Sequence, residues 1–105
     1  AIGKSPTGLT GNVSGTAITS GIGAFNSGGG NVASGPYSFT TGVGNQSTAV
    51  ASFSQGISTI ASNIASHSEG IATRAVGVAS HAEGGGSLAL GDFSHAEGDP
   101  CIAVG

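Results

Sequence analysis

The sequence predicts an all-β fold, a parallel β-roll solenoid wound in 14-residue coils, each made of two 7-residue units of the form Ser/Thr-x-Ala-x-Gly-x-x. Three observations predict it. Gly28, Gly42, Gly56, Gly70, Gly84 and Gly98 recur every 14 residues, and a second series at Gly21, Gly35, Ala49, Asn63, Gly77, Gly91 and Gly105 lies midway. Within each unit the small residues stand at i, i+2 and i+4, the alternation of a strand. Finally, 21 of the 105 residues are Gly and only 5% are aromatic, with no Trp or Met, so the large side chains of an ordinary core are missing.

Each column of the unit supports the strand. The first runs Ser38, Asn45, Ser52, Thr59, Ser66, Thr73, Ser80, Ser87, Ser94, Cys101, and the third Thr40, Ser47, Ser54, Ala61, Ser68, Ala75, Ala82, Ala89, Ala96, Ala103. Nothing large occurs in either. A heptad coiled coil needs Leu, Ile or Val at its seam, and Gly at every seventh residue would cost a helix about 1 kcal/mol each time. Collagen needs Gly at every third position. The pattern therefore reads as five-residue strands with one small face, linked by two-residue corners, with coils stacked about 4.8 Å apart. The small faces point inward, so the two sheets should lie closer than the usual ~10 Å. Dividing 105 by 14 gives 7.5 coils, a rod on the order of 36 Å. Residues 1–16 fit the columns poorly and are expected to form an irregular N-terminal segment or cap, leaving 17–105 as the roll.

Composition excludes several functions. A net charge of -3 with only Lys4 and Arg74 as basic residues cannot neutralise a row of phosphates, which argues against nucleic acid as a partner. Gly, Ser and Thr interrupt every apolar run well short of 18 residues, and no basic-then-apolar leader opens the sequence, so direct membrane insertion is not expected. Cys101 is the single cysteine and cannot form an internal disulfide; in its Ser/Thr column it reads as a buried, inert thiol.

The outward residues differ between the two strands of a coil. One series presents Ile18, Val32, Gln46, Ile60, Arg74, Leu88 and Ile102, followed two residues on by Ser20, Ser34, Thr48, Ser62, Val76, Leu90 and Val104. The other presents Phe25, Phe39, Phe53, His67, His81 and His95, followed by Ser27, Thr41, Gln55, Glu69, Glu83 and Glu97. A core of Ala and Gly buries too little apolar surface to offset the ordering of the chain, so the aliphatic face should be covered as well. Self-association about an axis parallel to the rod follows, with Ile18, Val32, Ile60, Val76, Leu88, Leu90, Ile102 and Val104 as the seam.

Ser87-Leu-Ala-Leu-Gly91, Cys101-Ile-Ala-Val-Gly105 and the blocks at 66–70 (SHSEG), 80–84 and 94–98 (SHAEG) resemble the head of trimeric autotransporter adhesins, the YadA-like head. The SHAEG blocks are also similar to repeats of phage appendage and tail-fibre proteins. The resemblance covers residues 17–105 and lies in period and small-residue columns. It implies a left-handed roll, a side-by-side homotrimer, exposure on a cell or virion surface, and adhesion to a host surface protein or glycan.

For candidate chemistry, the pairs His67/Glu69, His81/Glu83 and His95/Glu97 recur at 14 and should form ladders. As metal ligands these residue types suit Zn²⁺ or Ni²⁺, but a flat ladder offers no tetrahedral closure, so stacked rings with mutually neutralising His and Glu are expected and no metal or other cofactor is implied. Crowded imidazoles charging near pH 6 would repel one another. Ser66, Ser80 and Ser94 precede these histidines, yet alternation turns the hydroxyls inward and the rings outward, so no nucleophile and base can pair. Glu83 and Glu97 share one repeat environment and make no differentiated acid/base couple. No enzyme activity is expected. Phe25, Phe39 and Phe53, with Tyr37 and Phe93, offer an aromatic strip, and together with the three histidines they are the ligand-contact candidates. Asn12 and Asn45 fit a glycosylation sequon but stand in inward columns.

The expected function is a non-catalytic, adhesive or receptor-binding head or fibre segment outside the cell. The alternative is a structural filament subunit polymerising end to end, because an uncapped solenoid exposes pairing edges. An ice-binding solenoid is the weaker alternative, since its outward Thr array is missing. A calcium-binding roll is disfavoured because Asp92 and Asp99 are the only Asp residues.

Overall fold

A computed structural model of the chain describes residues 18–104, Ile18 by its backbone alone. The expected segment at 1–16, the sequon at Asn12 and the seam side chain of Ile18 lie outside the described residues. The strands are β1 (Ile18–Thr19), β2 (Phe25–Gly29), β3 (Val32–Ala33), β4 (Phe39–Val43), β5 (Gln46–Ser47), β6 (Phe53–Ile57), β7 (Ile60–Ala61), β8 (His67–Ile71), β9 (Arg74–Ala75), β10 (His81–Gly85), β11 (Leu88–Ala89), β12 (His95–Gly98) and β13 (Ile102–Ala103). Odd strands form one sheet in the order β1-β3-β5-β7-β9-β11-β13, and even strands a second in the order β12-β10-β8-β6-β4-β2. The paired neighbours run parallel, and the register is uniform: Phe39 pairs with Phe53, His67 with His81 and Ile60 with Arg74, each 14 residues on. The fold is thus an all-β parallel solenoid of about six 14-residue coils, and the body measures 42 × 20 × 11 Å.

The two units of a coil are not equivalent, which corrects the expectation of five-residue strands in both. The even strands span four or five residues but the odd strands only two. The cause is a tight bend after each odd strand. Ser34 and Gly35 both donate their N–H to the Ser47 carbonyl, at 3.0 and 3.3 Å, so the ladder stops there. The chain then turns over Gly35 to Ser38, closed by Ser38 N–H to the Gly35 carbonyl at 3.1 Å, with Tyr37 at φ 60°. Positive φ at the third residue is the type II pattern. The same corner recurs at Ala51, Ala65, Ala79 and Phe93, all with positive φ. The first-column serines fasten it: the hydroxyls of Ser52, Ser66, Ser80 and Ser94 donate to the carbonyl three residues back, at 2.8, 2.7, 2.7 and 2.6 Å.

Between the sheets nothing is larger than Asn or Thr. In the earlier coils the filling is mainly polar: Asn26, Asn31, Thr40, Asn45, Ser47 and Ser54 are fully buried, alongside Ala33. Hydroxyls there tie one sheet to the other, as Ser47 does by donating to the Phe39 carbonyl at 2.7 Å. In the later coils Ala75, Ala82, Ala89 and Ala96 make a small methyl core.

Gly56 shows why the fifth column of the long unit is invariably Gly. Its φ is +118°, and a Cβ built there would run into the carbonyl oxygen of Gly70 in the next coil. Both the handed backbone and the close coil-to-coil approach require the missing side chain.

Candidate functional site

The even strands carry their first and third residues outward, so uniform register stacks like upon like. Phe25, Phe39 and Phe53 form a column with ring centroids 4.7 and 4.5 Å apart and planes within 8° and 12°. The column passes through an edge-on contact, Phe53 to His67 at 4.5 Å, into stacked imidazoles: His67 to His81 at 4.5 Å and His81 to His95 at 4.7 Å, both at 3°. These separations are the strand spacing of a parallel sheet, so the backbone itself sets them.

Beside the imidazoles runs the carboxylate ladder. Nε2 of His67, His81 and His95 lies 3.0, 3.1 and 3.2 Å from Oε1 of Glu69, Glu83 and Glu97 on the same strand. The first two pairs are about one-third exposed and the last, in the end coil, is half-exposed or more. The Nε2 atoms of His67 and His81 are themselves covered, each lying against its own carboxylate. Burial, together with the neighbouring His81, holds His67 below the ordinary histidine value despite Glu69 and Glu83. The result is two overlapping triads, His67/Glu69/His81 and His81/Glu83/His95, whose ligand atoms all lie within 4.8 Å of one another.

Phe25, Phe39 and Phe53 are only half-exposed because each ring face is covered by the next. The strip therefore offers ring edges, not open π-faces, to a ligand. Tyr37 and Phe93 do not join it; they occupy the tight corners and are 66% and 78% exposed. Ser66 and Ser80 are buried with their hydroxyls bonded inside the corners, away from the neighbouring imidazoles. Asn45 is fully buried with its amide engaged, out of reach of a glycosylating enzyme.

On the odd-strand sheet Val32, Ile60, Val76 and Leu88 are half-buried, while Leu90, Ile102 and Val104 are 41%, 63% and 69% exposed. Gln46 and Arg74 interrupt the column and are exposed, so the apolar stretch is continuous only toward Val104. Cys101 is half-exposed, which corrects its reading as a buried thiol: the end coil covers it on one side only. Two further apolar ladders run along the corners. Val43, Ile57 and Ile71 stand exposed along one edge of the body, and Ile22, Val50 and Ile64 along the other. The spacing is 14 in the sequence except between Ile22 and Val50, where Pro36 takes the intervening place, and both columns serve to turn the chain.

Comparison with protein-family models, with curated proteins and with solved structures finds no match for the chain.

Proposed function

We propose that the chain is a non-catalytic adhesive or receptor-binding head or fibre segment, displayed on a cell or virion surface, built like the YadA-like heads its repeats resemble. In this reading the roll is left-handed and three copies stand side by side, joined along the odd-strand face. One observation carries it: the molecule's own interior holds only small residues, while Leu90, Ile102 and Val104 stand exposed beside the half-buried Leu88 on one face. An apolar column of that kind, self-complementary under rotation about the rod axis, suits a symmetric interface. The partner surface beyond the trimer would be a host protein or glycan, met by the exposed corner residues and the Phe and His strip.

A second reading, a filament subunit that polymerises end to end, draws on β12 and β13 standing last in their sheets among the described residues. A sheet end in uniform register can template another copy. Light scattering across a concentration series separates the readings. A mass of three chains, independent of concentration, supports the head. Growth with concentration into rods visible by electron microscopy supports the filament. A stable monomer overturns both.

A further inference from the structure

We propose that the imidazole and carboxylate ladder binds one divalent transition-metal ion per chain, with His81 as the obligatory ligand shared by two overlapping triads. A flat ladder would disfavour such a site if side chains on one strand stayed parallel. Instead each histidine and its glutamate turn toward one another, bringing Nε2 and Oε1 to 3.0, 3.1 and 3.2 Å. Ligand atoms around a tetrahedral centre with bonds of about 2.1 Å stand about 3.4 Å apart, so each within-strand pair already has nearly the bite a metal requires. The third ligand comes from the adjacent coil, within 4.8 Å of the other two.

Closing a triad needs one change. The lone pair of Nε2 lies in the ring plane, and rings stacked at 3° aim their lone pairs side by side. One imidazole must tilt out of its stack so that both point at a common centre, and the partly exposed outer face leaves room for that. Water completes the fourth position. Two neutral imidazoles with one carboxylate favour Zn²⁺, Ni²⁺ or Cu²⁺ over the oxygen-seeking Ca²⁺ and Mg²⁺. The electrostatics agree: three of the chain's five acidic residues lie on this strip, and Lys4 and Arg74 are its only basic side chains besides histidine. The Nε2 atoms of His67 and His81 lie covered against their carboxylates, so ligation there requires the ring proton to sit on Nδ1. Phe53 closes the strip on its far side.

The sharing of His81 sets the stoichiometry. Both triads draw on His81, and its Nε2, the atom that faces Glu83, can hold only one ion at a time. The test is calorimetric titration of ZnCl₂ into the full chain at pH 7.5, with MgCl₂ as control, repeated on His67→Gln, His81→Gln and His95→Gln. Thermal unfolding with and without Zn²⁺ checks that each variant is folded and reads binding a second way. Wild type should take about one Zn²⁺ per chain and no Mg²⁺. His67→Gln and His95→Gln each keep one intact triad and should bind within a few-fold of wild type. His81→Gln destroys both and should lose at least about tenfold in affinity together with the Zn²⁺-induced rise in Tm. Absence of Zn²⁺ binding by wild type, two equal sites per chain, or His81→Gln binding as well as the other variants would each overturn the proposal.

Discussion

Asn45 holds Thr59 in the coil that follows it. Its Oδ1 accepts both the backbone N–H of Thr59, at 2.8 Å, and the Thr59 hydroxyl, at 2.9 Å, while its Nδ2 donates to the carbonyls of Thr41 and Gly56 at 2.7 and 2.8 Å. Asn31 fills the same role in the preceding coil, accepting the Asn45 N–H at 2.9 Å. A fully buried amide thus replaces the backbone ladder at the corner where the chain leaves one sheet for the other.

Removing it should be costly. Asn45→Ala leaves the Thr59 N–H and two carbonyls without their partners between the sheets, at about 1–3 kcal/mol for each unsatisfied group, so a total loss of about 3–5 kcal/mol is expected. Asn45→Asp keeps the acceptor but cannot donate, and should be at least as damaging. Urea unfolding of both variants measures this; a loss below about 1 kcal/mol would show that water replaces the amide.

Two glycine substitutions separate backbone strain from steric exclusion. Gly44→Ala faces only the positive φ, since nothing but the Ser58 hydroxyl comes within 4 Å and Ser58 and Ala72 already occupy the same column at φ 59°. It should cost about 1 kcal/mol. Gly56→Ala adds a collision with the Gly70 carbonyl and should cost about 3 kcal/mol or more. Equal effects in thermal unfolding would refute the close coil-to-coil approach.

Acid should weaken the roll through His67. Burial and the facing His81 lower its affinity for a proton in the fold, against the opposing pull of Glu69 and Glu83, with the Phe53 ring packed on its other side. The unfolded chain therefore binds more protons once the pH drops below the ordinary value of 6.5. Stability is full above that pH and is lost as the pH falls through it, levelling off below the depressed folded value. Tm measured with a chelator from pH 8 to 5 should decline more steeply in wild type than in His67→Gln; parallel curves would remove His67 as the cause.

Much of the fold is legible in the sequence because the columns are redundant. Gly28 through Gly98 fix the 14-residue coil, and the Ser, Thr and Ala columns face inward as strand alternation requires. What the repeat conceals is the inequality of its halves. Nothing in Ser34-Gly-Pro-Tyr-Ser38 announces that Ser34 and Gly35 share one acceptor and end the strand, or that Ala51 and Ala65 adopt positive φ where Gly would be the usual choice. On the candidate site, position is readable but orientation is not. Spacing places His81 beside His67 and His95, yet the turn of Nε2 toward Glu83, and the covering of each Phe face by the next ring, arise from side-chain torsions that a column alignment does not carry. The exposed Ile57 and Ile71 escape a strand-based reading because they sit where each strand gives way to a corner.

The most direct measurement is the solution mass of wild type, of the double variant Leu88→Asp/Leu90→Asp, and of Gln55→Asp on the opposite sheet as a control. Leu88 and Leu90 face outward on the odd-strand side, where charge leaves the interior undisturbed but cannot be buried against another copy. The expected result is three chains for wild type and for Gln55→Asp, and loss of the three-chain mass with a lowered Tm for the Leu variant. A wild-type monomer, or a Leu variant that keeps its wild-type mass, would contradict a seam along this face.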